Sequence, residues 1–218
     1  LPTSKAYANN NPNYYGINSI GANVLAEMDA DYSGNIDDLE KELTTAGSLN
    51  YKIPGVEGLS AKVFYSYKFE NRDLSNYRKR YDLYSYDATT ESYNPMVLQN
   101  PTELSKSNRN RVQTVFQGSL SYTKSFFTKH NVKALALFER RYFNSDYLYG
   151  YRQFALEGLE QLDLGNLANQ NLNGSSAYEA REGYVGKLNY DYDNKYLLEF
   201  SGRYDGSYKL PTATRFAF

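Results

Sequence analysis

An alternation of apolar and polar side chains with period two, repeated in run after run, constrains this chain more than any other feature. From Leu43 to Ile53 the odd positions read Leu43, Thr45, Gly47, Leu49, Tyr51 and Ile53, against Thr44, Ala46, Ser48, Asn50 and Lys52. From Leu59 to Phe69 the odd positions are again the apolar ones: Leu59, Ala61, Val63, Tyr65, Tyr67 and Phe69. Val112, Thr114, Phe116, Gly118, Leu120 and Tyr122 face Gln113, Val115, Gln117, Ser119 and Ser121 across a third run. The run from Val132 to Tyr142 is less clean, because Leu135 and Leu137 join Lys133, Glu139 and Arg141. REGYVGKLNYDYDNKYLLEFSGRYDGS, Arg181 to Ser207, holds two more runs. Their apolar positions are Tyr184, Gly186, Leu188, Tyr190 and Tyr192, then Tyr196, Leu198, Phe200, Gly202 and Tyr204. Side chains at i and i+2 share one face only in a strand, so the chain reads as all-β.

The connections alternate in length. Pro54-Gly55-Val56-Glu57-Gly58 is a tight turn, the link from Tyr122 to Val132 is short, and Asp193-Asn194 turns within a few residues. The links from Phe69 to Val112 and from Tyr142 to Tyr184 run to about forty residues each, which is uncommon inside a compact soluble domain. Strict alternation gathers every long link at one end of the sheet. Transmembrane β-barrels have this plan, with short periplasmic turns and long external loops. Strand length agrees: Tyr196 to Tyr204 extends roughly 26 Å at about 3.3 Å per residue. Tilted by about 40°, that spans roughly 20 Å, near the height of a barrel's apolar band. Facing residues of an antiparallel pair share a side of the sheet, so two even-numbered faces require an odd-numbered loop. The loop expected is Tyr192-Asp193-Asn194, with Asn194 left-handed beside a bulge and Asp191 facing Lys195.

Composition narrows the chemistry. The 218 residues include 24 tyrosines and no cysteine, with a formal net charge of −1. Aromatics reach 16 %, yet the mean hydropathy is −0.70. Rings with one apolar and one wet side suit membrane interfaces, sugar sites and β-rich interfaces. Disulfides and thiolate chemistry are excluded. No basic block points to nucleic acid. No run of about 18 apolar residues offers a transmembrane helix. Leu1 begins no recognisable signal peptide.

Three stretches carry a family resemblance. Gly183-Tyr184-Val185-Gly186-Lys187-Leu188-Asn189-Tyr190-Asp191-Tyr192, Lys195-Tyr196-Leu197-Leu198-Glu199-Phe200 and Arg203-Tyr204-Asp205-Gly206-Ser207 together resemble the SusC/RagA family of TonB-dependent outer-membrane transporters. Gly58-Leu59-Ser60-Ala61-Lys62-Val63 and Lys129-His130-Asn131-Val132 look like further barrel turns of that family. The resemblance covers roughly residues 40 to 218. It implies an antiparallel transmembrane barrel of roughly 22 strands, of which this chain holds about six to seven. It also implies a plug domain, energy from the TonB complex, and a SusD-like surface lipoprotein as partner. The cargo would be an oligosaccharide or peptide, and the place the outer membrane. No plug, TonB box or signal peptide is recognised here, so the expectation is a middle segment of the barrel. The missing N-terminal region would contact TonB.

Two stretches are candidate sites. DADYSGNIDDLE places Asp29, Asp31, Ser33, Asn35, Asp37 and Glu40 at the ligand spacing of a calcium EF-hand loop. The flanks do not read as helices, so an acidic external loop turned by Gly34 is the competing reading. The long link after Phe69 concentrates Tyr77, Arg78, Arg80, Tyr81 and Tyr84, rings and guanidinium groups that suit a sugar or a peptide. They suit packing against neighbouring loops as well. His130 is the one histidine and reads as a turn residue. No nucleophile or acid–base pair is specified by spacing, so no enzyme is expected. The alternative function is a soluble β-sandwich carbohydrate-binding module, whose Tyr-rich faces would be core and sugar platform. Against it, faces heavy in Tyr and Gly are poor material for an interdigitated sandwich core.

Overall fold

A computed structural model describes residues 5–155, 158, 160–211 and 214–217. Two short helices, α1 (Val24–Met28) and α2 (Ala30–Ser33), precede the strands. The strands are β1 (Gly34–Lys52), β2 (Leu59–Arg78), β3 (Asp82–Asp87), β4 (Ser92–Val97), β5 (Thr102–Phe126), β6 (His130–Phe154), β7 (Asn166–Tyr192), β8 (Tyr196–Ser207) and β9 (Phe216–Ala217). Among the described residues, seven strands form one sheet in the order β1-β2-β5-β6-β7-β8-β9, and β3 pairs with β4 alone. Chain neighbours are sheet neighbours apart from the β3–β4 hairpin, so the sheet is an antiparallel meander. No described helix is long and apolar enough to cross a membrane.

The strands outrun their apolar runs. β5 and β6 have 25 residues each and β7 has 27, well beyond ordinary strands of about five or six. Much of what reads as long loop is therefore strand: β2 continues to Arg78, and β6 and β7 extend to Phe154 and back from Asn166. Asn166 to Ser176 is mostly Asn, Gln, Gly and Ser, with Leu167, Ala168 and Leu172 as its apolar residues. Those three do not recur with period two, so no alternation marks the strand. Ladder pairing still satisfies its backbone groups.

The β7–β8 register confirms the parity argument and corrects the turn. Tyr184 faces Tyr204, Gly186 faces Gly202, Leu188 faces Phe200, and Tyr190 faces Leu198. The last pair is Tyr192 with Tyr196, so the three-residue loop is Asp193-Asn194-Lys195, one residue later than expected. Asp191 faces Leu197 rather than Lys195. Asp193 and Asn194 are both left-handed, each at φ 54°. Lys195 N–H closes the turn onto Tyr192 O at 3.0 Å, and Asn194 N–H donates to Asp191 Oδ1 at 2.9 Å. Two adjacent left-handed residues suit the strand twist, and Lys195 completes the odd loop. Phe127 and Thr128 repeat the left-handed pair in the β5–β6 turn, at φ 48° and 61°.

The chain divides into two compact units. One holds 41–71, 109–146 and 175–218, the other 1–40, 72–108 and 147–174. In the former, the apolar faces stay open: Leu43, Leu49, Tyr65, Leu120, Leu188, Leu198 and Phe200 are all exposed. A sandwich would bury those side chains under a second sheet, so the sandwich alternative is not the architecture adopted. In the latter, a conventional core forms. Tyr77, Leu104 and Phe154 pack together at 2 %, 0 % and 5 % exposure, with Leu162 against them. Leu83 and Ala26 are also fully buried. Asn23 fastens the segment before β1. Its Oδ1 caps α1 by accepting from Leu25 and Ala26 N–H, and its Nδ2 donates to Ala6 O and Gly16 O at 2.7 Å each. Gly34, which starts β1 at φ 100°, could carry no side chain: a Cβ would lie 2.0 Å from Tyr77 O.

Candidate functional site

Three surfaces carry chemistry, each within a single unit. The first is the apolar face of the 41–71, 109–146, 175–218 unit. A chain of rings crosses five strands there: Phe116 to Phe138 at 6.3 Å, Phe138 to Tyr184 at 5.2 Å, Tyr184 to Phe216 at 6.4 Å, and Phe216 to Tyr204 at 5.3 Å. Towards the turns, the His130 ring lies 5.0 Å from Tyr192, and Tyr192 lies 6.4 Å from Tyr196. His130 Nδ1 is also 2.7 Å from Tyr190 Oη, so this histidine, read as a turn residue, is the partnered first residue of β6. At the opposite limit an ion pair interrupts the apolar face, Arg140 Nε to Glu182 Oε1 at 3.4 Å. Tyr192 to Glu182 along β7 is roughly 33 Å of strand at about 3.3 Å per residue. At a tilt of about 40° that is roughly 25 Å, the height of a lipid-facing band.

The second surface is the polar face of the same unit. Glu139, 7 % exposed, accepts from Gln117 Nε2 at 2.6 Å and from Arg141 Nε at 2.9 Å. Arg203 Nη2 reaches it at 3.7 Å from β8, while Arg203 Nε donates to Asp205 at 2.6 and 2.8 Å. β7 lies between β6 and β8, and Arg203 crosses it over Gly183. A Cβ on Gly183 would sit 2.5 Å from Asp205 Oδ1 and 3.2 Å from Arg203 Nη2. The missing side chain is what lets two strands' charges meet. Parity placed Arg203 and Asp205 on this face; their convergence on Glu139 was not legible, because it depends on the β6–β7 register.

The third surface lies in the 1–40, 72–108, 147–174 unit, where the sequence places its substrate and calcium candidates. A cavity of about 770 Å³ is lined by Glu27, Asn35, Asn76, Tyr77, Arg78 and Tyr81, among others. Three of the five proposed substrate residues thus come together: Tyr77, Arg78 and Tyr81. Tyr77 is chiefly a packing residue, its Oη accepting from Gly158 N–H at 3.0 Å. Arg78 is exposed and pairs with Glu103 at 3.3 Å. Burial, with the Glu27 charge beside it, pushes the Tyr81 hydroxyl above its usual pKa. Arg80 turns to Asp82 at 3.5 Å. Tyr84 joins a separate cluster, edge-on to Tyr14 at 4.9 Å, where Tyr14 stacks on Tyr93 at 4.1 Å. The Tyr14 contribution was missed because the first residues show no periodicity.

The six calcium candidates are not gathered around one point. Asp29 caps α2 and accepts from Tyr15 Oη at 2.8 Å. Asp31 and Ser33 lie on α2, whereas Asn35, Asp37 and Glu40 lie along the extended β1. Ser33 Oγ donates to main-chain carbonyls of Glu27 and Asp29, and Asn35 Nδ2 donates to Asp37 at 2.8 Å. Among the described residues, no group of three or more His, Asp or Glu is arranged to hold a metal.

The long meander with one open apolar face and aromatic borders has counterparts among solved structures. Its fold is similar to a stretch of the RagAB peptide transporter. That likeness has a TM-score of 0.70 at 19 % identity, over 86 % of this chain and 20 % of that one. The RagAB peptide importer matches in its open-open state with a TM-score of 0.68 at 19 % identity, over 86 % of this chain and 19 % of that one. In its closed-closed state the values are 0.66 and 20 %, over 84 % and 19 %. This chain therefore spans about a fifth of the length of the transporter chains it matches. At these identities the likeness is one of fold. No protein-family model and no curated protein matches the sequence.

Proposed function

We propose that this chain is a segment of an outer-membrane barrel of the SusC/RagA kind, which imports an oligopeptide or oligosaccharide. The observation that carries the reading is the exposed apolar face, bordered by Tyr192 and Tyr196 at the turns and by the Arg140–Glu182 pair at the other limit. In water such a face would drive aggregation. Against lipid tails it is the required surface, and the polar face then looks into the lumen. The RagAB likeness favours a peptide over a glycan. In this reading, a plug domain and TonB elsewhere in the full protein supply gating and energy, and a SusD-like lipoprotein covers the external mouth. Arg78 and Tyr81 contact the cargo from their cavity, and Tyr77 holds them in place.

The test uses the full-length protein in the outer membrane of a host that lacks it. Uptake of fluorescent oligopeptides and oligosaccharides is followed with and without an uncoupler. In parallel, single cysteines at positions 188, 198 and 200 are probed with a water-soluble maleimide. Uncoupler-sensitive peptide uptake and protected cysteines are expected. Cysteines labelled as readily in membranes as after unfolding would end the membrane reading.

A further inference from the structure

On the polar face, a cavity of about 530 Å³ is lined by Glu139, Arg141, Arg181, Arg203, Asp205 and Arg215, among others. All lie in the 41–71, 109–146, 175–218 unit. Each available carboxylate is already shared. Glu139 holds both Arg141 and Arg203, at 2.9 and 3.7 Å. Asp205 is taken by Arg203 at 2.6 Å. Arg181 reaches Glu179 only at 3.4 Å, and Lys209 competes for the same carboxylate at 3.1 Å. Glu182 borders the cavity through its backbone position, but its carboxylate pairs with Arg140 at 3.4 Å on the opposite, apolar face. Positive charge is in surplus. Arg215 Nε is buried without a hydrogen-bond partner among the described residues. A guanidinium cannot shed its proton, so a buried N–H of this kind calls for an acceptor.

We propose that this cavity is a carboxylate-binding site for the transported cargo, with Arg181 and Arg215 as its ligating groups and Arg203 as a third. A carboxylate presents two oxygens to the planar fork of an arginine, and several arginines around one pocket select for it. Glu139 is the positioning residue. It is buried, accepts from Gln117 and Arg141, and draws Arg203 towards the same cavity. Gly183 leaves the gap that Arg203 occupies. The inference rests on the transport reading above and sharpens it: the barrel wall prefers acidic cargo.

The experiment uses the full-length transporter in outer-membrane vesicles or cells. Its probes are a fluorescent Gly/Ser nonapeptide bearing two glutamates and the same peptide with glutamines. The wild type is expected to take up the Glu peptide about tenfold better, the scale of one added charge-assisted hydrogen bond. In Arg215→Gln and Arg181→Gln the Glu/Gln ratio should fall towards one. Gly183→Ala, which removes no charge but displaces Arg203, should lower it partway. A wild-type ratio of one, with both peptides taken up, overturns the site and leaves the transport reading standing. Uptake of neither peptide overturns the transport reading, and the site with it. A ratio unmoved by the arginine variants, while the folded barrel becomes easier to melt, assigns the pocket to an acidic segment of the plug and overturns the cargo assignment.

Discussion

The two units of this chain share strands but not a principle of stability. Residues 41–71, 109–146 and 175–218 bury almost nothing apolar: Leu188, Leu198 and Phe200 are 43 %, 52 % and 60 % exposed. What fixes their arrangement is the ladder, aromatic cross-strand pairs and ionic contacts on the polar face. Residues 5–40, 72–108 and 147–174 bury a small apolar core instead. Leu83 and Leu104 are 0 % exposed, Tyr77 is 2 % exposed, and Asn23 ties the first segment down with buried hydrogen bonds. One backbone plan thus serves an open apolar face in one unit and a buried core in the other. Period two is written where one face stays open and apolar, which is the face that the proposed reading sets against lipid. Where both faces meet water or protein, the same strands continue under polar sequence.

The difference can be broken from either side. The largest effect should come from Leu104→Ala, which opens a cavity in the only residue cluster of conventional core type among the described residues. A loss of about 2–5 kcal/mol is expected. Hydrogen exchange on the full-length protein should show faster opening around Tyr77, Leu104 and Phe154, with amides of the β7–β8 turn unaffected. Opening spread equally over both units would mean that they are not separate in stability. Next comes Leu188→Arg, with an expected cost of about 2–4 kcal/mol at mid-bilayer depth. Urea titration of folding into bilayers measures it. Glu199→Gln, which breaks the exposed Lys187–Glu199 pair at 3.0 Å, should cost under about 1 kcal/mol. If both variants cost the same, the assignment of Leu188 to lipid is wrong.

Asn23→Ala should be the milder lesion of the water-facing unit. It removes the cap of α1 and leaves the carbonyls of Ala6 and Gly16 without their donor. The expected cost is about 1–3 kcal/mol, read as earlier proteolytic cleavage between residues 5 and 33 of the full-length protein. Cleavage at the wild-type rate would show that the segment is held by its tyrosines alone.

How much of this was legible follows from the same contrast. Alternation located the residues of the open apolar face because that face has a single requirement repeated along each strand. Parity then gave an odd loop at the β7–β8 turn. It could not choose between Asp191 facing Lys195 and Tyr192 facing Tyr196, since both pairings put even numbers opposite even. The choice lies in backbone chemistry: Asp193 and Asn194 both tolerate the left-handed region, and Asp191 accepts from Asn194. In the other unit little was legible. Tyr77 read as a loop aromatic, yet it is core, because Leu104 and Phe154 arrive from other strands. Gly34 fitted a calcium-loop pattern; in the fold its lack of a side chain admits the Tyr77 carbonyl. The polar-face cluster around Glu139 needed a three-strand register and the gap at Gly183, neither of which any one segment encodes.

The smallest effect should be seen in alkali. Tyr15 Oη donates to Asp29 Oδ2 at 2.8 Å. Ionising Tyr15 would remove that donor and set a phenolate beside a carboxylate. The hydrogen bond to Asp29 is the main cause that pushes the Tyr15 pKa up to about 12, with burial and the Asp29 charge adding to it. A pKa raised in the folded state means that folding favours the protonated phenol. The contribution is therefore complete below pH about 10, the ordinary tyrosine value, and disappears as pH rises towards 12. Asp29 also caps α2, so loosening should be felt at Asp31 N–H and along Ala30 to Ser33. Hydrogen exchange of that stretch, compared between wild type and Tyr15→Phe, isolates the link from the other 23 of the 24 tyrosines. The wild type should be the better protected below pH 10, and the two should converge above it. Curves that stay parallel across that range would mean that Tyr15 contributes packing against Tyr7 and Tyr32 but no hydrogen bond to Asp29.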